Sequence, residues 1–339
     1  MPGPREAVAV LKSILGSLAI LILVSAASLT QTSVNDIHVV PRLSPSMASA
    51  VASSKLVQES GLHVLKTDVK LVLVPVSVTD PRQRLVSGLQ AENFEIFEGK
   101  KPQQIRHFSS EDLPVSVGII LDASGSMREK MGRVRDAVHQ FCEGANLQDE
   151  FFMISFADEP RLAADFTSSS QDVEKELLFT QPKGRTALLD AIYMGLRKMK
   201  DAKYAKRALL IISDGGDNHS RYSEQDVKAA AKESDVMIYA IGTFDRYVPT
   251  MEESRGPMLL SEIADSTGGQ AFTLQNEVEL PVVASHIGRA LRTQYVLGYR
   301  PEEMPHDGKW HKIHVKLRLP RQFSFLRAHA RPGYYAPAE

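Results

Sequence analysis

The sequence predicts an α/β fold: a doubly wound, mostly parallel sheet inserted into a small β-sandwich that its two flanks build together. Two patterns lead to this prediction. Between residues 112 and 294, short apolar runs alternate with amphipathic segments, which is typical of a parallel sheet covered by helices on both faces. On either side, β-branched and alternating segments occur without helices. Because each flank is too small to bury a core alone, we expect the two flanks to pack together.

The N-terminus has the order of charged, apolar and small residues that marks a secretory signal peptide. Arg5 and Lys12 precede the apolar run 14–24, and Ser25-Ala26-Ala27 offers a cleavage site. The run is about half of the roughly 20 residues that span a bilayer. We therefore predict a signal peptide at 1–27 and export to the periplasm or the exterior, with no membrane span after cleavage. An uncleaved N-terminal membrane anchor is the alternative.

The following segments divide the rest of the chain. Residues 28–66 are rich in Ser, Ala and Val without a lasting period, so we predict a flexible linker. The N-terminal β segment, 67–111, contains three predicted strands, at 69–78, 94–97 and 103–108. The C-terminal β segment, 295–339, contains three more, at 295–299, 312–319 and 323–330.

The central domain, 112–294, is predicted to alternate strands with helices. The run 115–121 is continuously apolar, as expected of a strand buried on both faces. Four further strands are predicted at 151–156, 208–212, 236–241 and 270–274. The helices are predicted at 128–143, 172–179, 187–200, 224–233, 257–266 and 277–292.

Composition limits the possible functions. Hydrophobic residues make up 43% of the 339 residues and charged residues 24%, so the chain can bury a real core. Lys+Arg 40 against Asp+Glu 41 leaves a net charge of -1, which gives no drive toward nucleic acid. The single cysteine, Cys142, excludes an intrachain disulfide and a cysteine-based zinc site, and we expect it to be buried.

Oxygen-bearing side chains cluster where predicted strands end. Asp122, Ser124 and Ser126 follow the first central strand at positions i, i+2 and i+4. Asp214 follows the strand at 208–212, and Thr186 precedes a helix. Ligand sites in doubly wound sheets form at the carboxyl ends of the strands. Such an all-oxygen set suits a hard cation such as Mg²⁺, although the first loop alone could also be only a helix N-cap.

On these residues, 112–294 resembles a von Willebrand factor type A (VWFA) domain, which has a Rossmann-like sheet. Asp122, Ser124, Ser126, Thr186 and Asp214 match that family's metal-ion-dependent adhesion site. The whole layout is similar to a group of exported bacterial VWFA-related proteins; it includes the segments Tyr295-Val296-Leu297-Gly298-Tyr299 and Gly333-Tyr334-Tyr335.

This resemblance implies a module for protein binding or cell adhesion rather than an enzyme. Its cation would be Mg²⁺, or Mn²⁺ or Ca²⁺, and one open position on the ion would take an Asp or Glu carboxylate from a partner protein. Two alternatives remain: a structural envelope protein whose metal only stabilises the fold, and a metal-dependent phosphoester hydrolase. Against the hydrolase, the sequence has no nucleophile elbow, no phosphate-binding loop and no His-Glu-x-x-His motif.

Five further polar residues, in three sets, are predicted not to bind the metal. Asp217 and Asn218 are expected to be solvated loop residues. Asp190 is expected to support the helix that begins near Ala187. His311 and His314 lie three apart on a predicted strand, so they should face opposite sides and share no metal.

Overall fold

The computed structural model describes residues 71–214, 216–244, 251–301 and 307–338, all within one compact unit that spans 67–339. The predicted signal peptide and linker lie outside the described residues. The N-terminal flank forms four strands: β1 (Val72–Thr79), β2 (Phe94–Glu98), β3 (Lys101–Gln103) and β4 (Ile105–Ser109). The predicted strand at 103–108 is therefore two strands with a break at Gln104.

The central domain contains six strands. They are β5 (Val115–Asp122), β6 (Glu150–Phe156), β7 (Pro160–Thr167), β8 (Lys206–Ser213), β9 (Val236–Thr243) and β10 (Ala271–Leu274). They form one sheet in the order β10-β9-β8-β5-β6-β7, parallel throughout except for β7, which runs antiparallel to β6 at the edge. All eight residues of β5 are buried, as the apolar run predicts.

Six helices cover the two faces of this sheet. They are α1 (Met131–Glu143), α2 (Ser170–Phe179), α3 (Leu188–Lys198), α4 (Glu224–Glu233), α5 (Met251–Asp265) and α6 (Leu280–Arg292). The apolar sides of α1, α2 and α6 pack on one face, and those of α3, α4 and α5 on the other. Cys142 is buried in α1, as predicted. The predicted doubly wound α/β class is confirmed.

Helix α5 begins earlier than predicted, since Pro257 lies inside it rather than at its start. The residue before a proline normally avoids the helical region, because its Cβ clashes with the proline ring. Here that residue is Gly256, which has no Cβ. Strand β7 was not predicted because it starts at Pro160 and shows no regular alternation of burial.

The C-terminal flank contributes β11 (Tyr295–Tyr299), β12 (Trp310–Leu317), β13 (Arg327–Ala330) and β14 (Gly333–Tyr335). Of the strand predicted at 323–330, only β13 is extended, because a short 3₁₀ turn occupies Arg321–Phe323. One sheet has the order β13-β1-β11-β4 and the other β14-β12-β2-β3. Each sheet thus combines strands from both flanks.

The two four-stranded sheets enclose a core of their own. It is formed by Val74, Val76, Val78, Phe94, Ile96, Tyr295, Leu297, Tyr299, Ile313 and Val315. Tyr295 also donates a hydrogen bond to the Val86 carbonyl at 3.0 Å, which links the two flanks through a side chain. Among the described residues, no helix is long and apolar enough to cross a membrane.

Candidate metal centre

Three loops meet at the carboxyl edge of the central sheet. The first (122–127) begins at the last residue of β5, the second (183–187) precedes α3, and the third, described at residues 214 and 216–220, follows β8. The first two are tied by backbone hydrogen bonds from Gly125 to Gly184 at 3.2 Å and from Lys183 to Ala123 at 2.9 Å. Because β5 and β8 are neighbours in the sheet, their terminal residues Asp122 and Ser213 also meet.

Asp122 is completely buried, and hydrogen bonds fix both of its carboxylate oxygens. Oδ1 accepts from the Ser124 amide at 2.8 Å, and Oδ2 accepts from the Ser213 hydroxyl at 2.6 Å. Burial, and then the nearby charge of Asp214, raise the pKa of the Asp122 carboxyl well above its usual range. Two buried carboxylates this close repel each other, so a cation between them would relieve a real electrostatic cost.

Asp214 supplies the second carboxylate and is only 2% exposed. Its Oδ2 atom is buried without a hydrogen-bond partner among the described residues. The nearest cation is the Lys130 ammonium at 3.9 Å, which instead donates a hydrogen bond to the Thr243 carbonyl at 2.9 Å. An unsatisfied buried carboxylate oxygen is costly. It therefore marks a position suited to a bound cation.

Three hydroxyl groups complete the predicted set. Ser124 and Ser126 lie in the first loop with their Oγ atoms 3.0 Å apart, Ser124 buried and Ser126 exposed. Thr186 is buried in the second loop. Two carboxylates and three hydroxyls make an oxygen-only donor set, which fits a hard divalent cation better than a soft one.

The described residues contain no cluster of three or more His, Cys, Asp or Glu side chains arranged to hold a metal. A cation at these loops would therefore depend on the neutral hydroxyls as well as on Asp122 and Asp214. His311 and His314 do not pair with each other. His311 instead lies 3.0 Å from the Glu98 carboxylate on the sandwich, and His314 is exposed.

Asn218 is exposed and Asp217 partly exposed in the third loop, as expected of loop residues, but both side chains also anchor the neighbouring loop, which the sequence did not predict. Asn218 Oδ1 accepts from the Thr186 amide at 3.0 Å. Asp217 Oδ1 accepts from the Leu188 amide at 3.0 Å and so satisfies the N-terminus of α3 from another loop. Asp and Asn side chains often bind backbone amides in loops, so the pair Asp217-Asn218 close after Asp214 is the sequence signal that could have indicated this anchoring role.

Asp190 lies in the first turn of α3 and is directed to the end of the third loop. Its Oδ1 accepts from the Arg221 amide at 2.9 Å and from the Tyr222 amide at 3.0 Å. Its Oδ2 accepts from the Arg221 side-chain Nε at 3.2 Å, so Asp190 fixes the chain just after the third loop.

Comparison with protein families identifies this region. Residues 117–216, from within β5 to the third loop, match the model of the von Willebrand factor type A domain. Residues 117–216 are thus similar to a von Willebrand factor type A domain. The matched residues include all five members of the predicted metal set. No curated protein sequence matches the chain.

Several solved structures are similar to part of this chain. A von Willebrand factor type A protein from Catenulispora acidiphila has a TM-score of 0.48 at 13% identity, covering 80% of this chain and 64% of that one. The protein BatB from Bacteroides thetaiotaomicron has a TM-score of 0.42 at 20% identity, covering 52% and 98%. The von Willebrand factor domain of the pilus tip protein Mfa5 from Porphyromonas gingivalis has a TM-score of 0.43 at 13% identity, covering 53% and 95%.

Proposed function

We propose that the protein is an exported protein-binding or adhesion module whose VWFA domain holds a divalent cation at Asp122, Ser124, Ser126, Thr186 and Asp214. The cation, Mg²⁺ or else Mn²⁺ or Ca²⁺, would offer one coordination position to an Asp or Glu carboxylate of a partner protein. The main support is the buried Asp214 oxygen without a hydrogen-bond partner, next to the buried Asp122 carboxylate.

The chain's own residues prepare this site for an incoming anion. The bonds from Ser213 and Ser124 hold Asp122 in one orientation. The other three candidate ligands are neutral hydroxyls. The protein therefore supplies at most two negative charges, which only balance the charge of a divalent ion, and the ion can still attract a further anion. The Lys130 ammonium, 3.9 Å from Asp214, adds positive potential at the same edge.

Two other functions use the same loops. In the first, the cation only stabilises the fold and no partner binds there. In the second, the ion activates water for phosphoester hydrolysis, which needs a general base nearby. His219 is the histidine of the third loop, but its ring nitrogen Nδ1 lies 3.3 Å from the Arg185 guanidinium, and its ring is exposed. Protein binding requires no such base and is therefore preferred.

A capture experiment tests the proposal. The purified chain, immobilised, is incubated with the envelope fraction of the source organism in Mg²⁺ or in chelator. Thr186→Ala removes a neutral ligand and Asp214→Ala removes a charged one, so both should lose the captured partner. Lys175 lies on the exposed surface of α2, so Lys175→Ala is the matched control and should capture the partner as the wild type does.

The outcomes separate the three functions. Capture that survives chelation, or that persists in both variants, would contradict binding through the metal and leave the stabilising role. Mg²⁺-dependent turnover of a generic phosphoester by the wild type, lost in Asp122→Ala, would instead support the hydrolase.

A further inference from the structure

A second surface lies at the opposite edge of the central sheet from the metal centre. It is a groove of about 660 Å³ between the end of α4 and the outer face of the β14-β12-β2-β3 sheet. Lys232 belongs to the last turn of α4. Because α4 follows β8 and returns antiparallel to it, this turn lies at the amino edge of the sheet, away from the three loops.

The groove combines an apolar floor with cationic walls. Trp310 and Pro332 contribute apolar surface, and Lys100, Lys232, Lys312 and His314 contribute the basic groups. The alternation of β12 accounts for this arrangement. Ile313 and Val315 are buried in the sandwich core, so Lys312 and His314 point to the other face and are exposed.

Trp310 is held in a defined position. A Cβ atom at Gly333 would lie 2.6 Å from the Trp310 ring, so the ring can lie over this strand only because residue 333 is glycine. The Tyr335 ring packs edge-on against the indole at a centroid distance of 5.0 Å and an angle of 64°. The floor of the groove is therefore built before any ligand arrives, which lowers the entropy cost of binding.

The cations of the groove are not neutralised by the part of the chain that the structure describes. Within it, Lys100, Lys232 and Lys312 have no carboxylate within 4.0 Å. Among the described residues that line the groove, none has a carboxylate, hydroxyl or amide side chain. Since the whole chain has a net charge of -1, this concentration of unpaired cations is local. A complementary ligand must bring both negative charge and apolar surface.

We propose that this groove binds an acidic segment of a partner protein, with an aliphatic side chain on Trp310 and flanking carboxylates on Lys100, Lys232 and Lys312. Glycans and nucleic-acid bases fit less well, because their hydroxyls and base edges are normally bound by carboxylate and amide side chains, and the described lining has neither. A nucleic acid would also need several stacking rings, whereas the groove offers one indole. The groove needs no cation, so this interaction is independent of the proposed metal centre.

The indole itself reports binding, because Trp310 is the only tryptophan in the chain. The intact purified protein is titrated with the unlabelled peptide Gly-Asp-Asp-Leu-Asp-Asp-Gly, and emission is followed with excitation selective for tryptophan. We expect a saturable shift in emission that weakens with added salt. The same peptide with Asn for every Asp, or with Gly for Leu, should bind at least about tenfold more weakly.

Charge-reversal variants locate the interaction. Lys232 in α4 and Lys312 in β12 are both exposed, so the variants Lys232→Glu and Lys312→Glu should fold normally. Each variant should bind the peptide at least about tenfold more weakly. Lys175→Glu makes the same charge change on α2, which packs on the other face of the central sheet, and should bind the peptide as the wild type does. Asp122→Ala and chelator should also leave peptide binding unchanged.

Three results would overturn the proposal. The first is no saturable change in emission with the acidic peptide. The second is equal loss of affinity in Lys175→Glu and in the groove variants, which would indicate a general charge effect. The third is tighter binding of heparin or of single-stranded oligothymidine than of the peptide at the same groove, which would assign it to a different polyanion. Loss of metal-dependent capture would bear only on the metal centre.

Discussion

The Asn218 side chain accepts a hydrogen bond from the Thr186 amide at 3.0 Å, so the third loop of the carboxyl edge positions the second. The Asn218 amide in turn donates to the Thr186 carbonyl at 3.0 Å. A candidate ligand residue is thus held on both sides of its backbone by one residue of another loop. Contacts of this kind orient the residues that bind a metal directly and so affect how tightly the metal binds.

Asn218→Ala should therefore lower the affinity for Mg²⁺ by about tenfold, while its effect on the free energy of unfolding stays near about 1 kcal/mol. Titration calorimetry with Mg²⁺ and urea unfolding measure the two quantities. Gln171→Ala, which removes an exposed amide on α2, serves as the matched control. Unchanged Mg²⁺ affinity in Asn218→Ala would show that the contact does not orient Thr186 for a metal.

Mg²⁺ itself should stabilise the wild-type protein. A ligand that binds only the folded state adds about 2.7 kcal/mol at a concentration near 100 Kd, so the melting temperature should rise by several degrees. Asp122→Ala should abolish the rise. Without metal this variant should melt no lower than the wild type, because it removes the repulsion between Asp122 and Asp214. An equal rise in both proteins would place the metal elsewhere.

Ile96→Ala tests the shared sandwich. Ile96 is 1% exposed and packs with residues of both flanks, so its truncation should cost about 2–5 kcal/mol. Hydrogen exchange should then show that β1 and β11 lose protection together, while β5 keeps its own. Loss of protection confined to residues 72–109 would contradict a core built jointly by the two flanks.

The grouping of the five candidate residues on loops at one edge was predictable because it depends on local order along the chain. A buried strand followed by Asp122, Ser124 and Ser126 is visible in sequence, and strand ends meet at one edge of a parallel sheet. The roles of Asp217 and Asn218 were not predictable in this way. Their partners, Leu188 and Thr186, lie about 30 residues away and are fixed only by how the loops pack.

The errors in the strand predictions have the same origin. The run 103–108 reads as one strand in sequence, which does not show that the chain passes from one sheet to the other at Gln104. Strand β7 lies at an edge of the sheet and its apolar residues are only partly buried, so its sequence shows no regular alternation. In both cases the strand boundaries depend on which neighbouring strand each segment pairs with, and the sequence does not show that pairing.

The predicted signal peptide makes a simple test possible. Mass spectrometry of the exported protein should find a mature N-terminus at about residue 27 or 28, after Ser25-Ala26-Ala27. Protein expressed in the cytoplasm is the control and should keep its intact N-terminal segment. An exported or envelope-bound chain that still begins at Met1 or Pro2 would favour the N-terminal anchor.

Lys206, at the start of β8, should make stability depend on pH. Burial, and then the positive charge of Arg292, lower its pKa to about 8, although Asp112 and Asp149 oppose the shift. Between about pH 8 and the ordinary lysine value of about 10.4, the unfolded chain binds more protons at this group than the folded chain does. The Lys206 contribution to the free energy of unfolding therefore becomes more favourable as pH rises through this window.

Lys206→Met removes this cost and should be more stable than the wild type at pH 7, by up to about 3 kcal/mol. The advantage should shrink as pH approaches 10, because the wild-type lysine is then neutral in the folded state. Urea unfolding of both proteins at pH 7, 8.5 and 10 measures the difference, in which other titrating groups cancel. Lys175→Met, at an exposed position, should show no such trend. A variant less stable than the wild type at pH 7 would mean that Asp112 and Asp149 outweigh the burial of the ammonium.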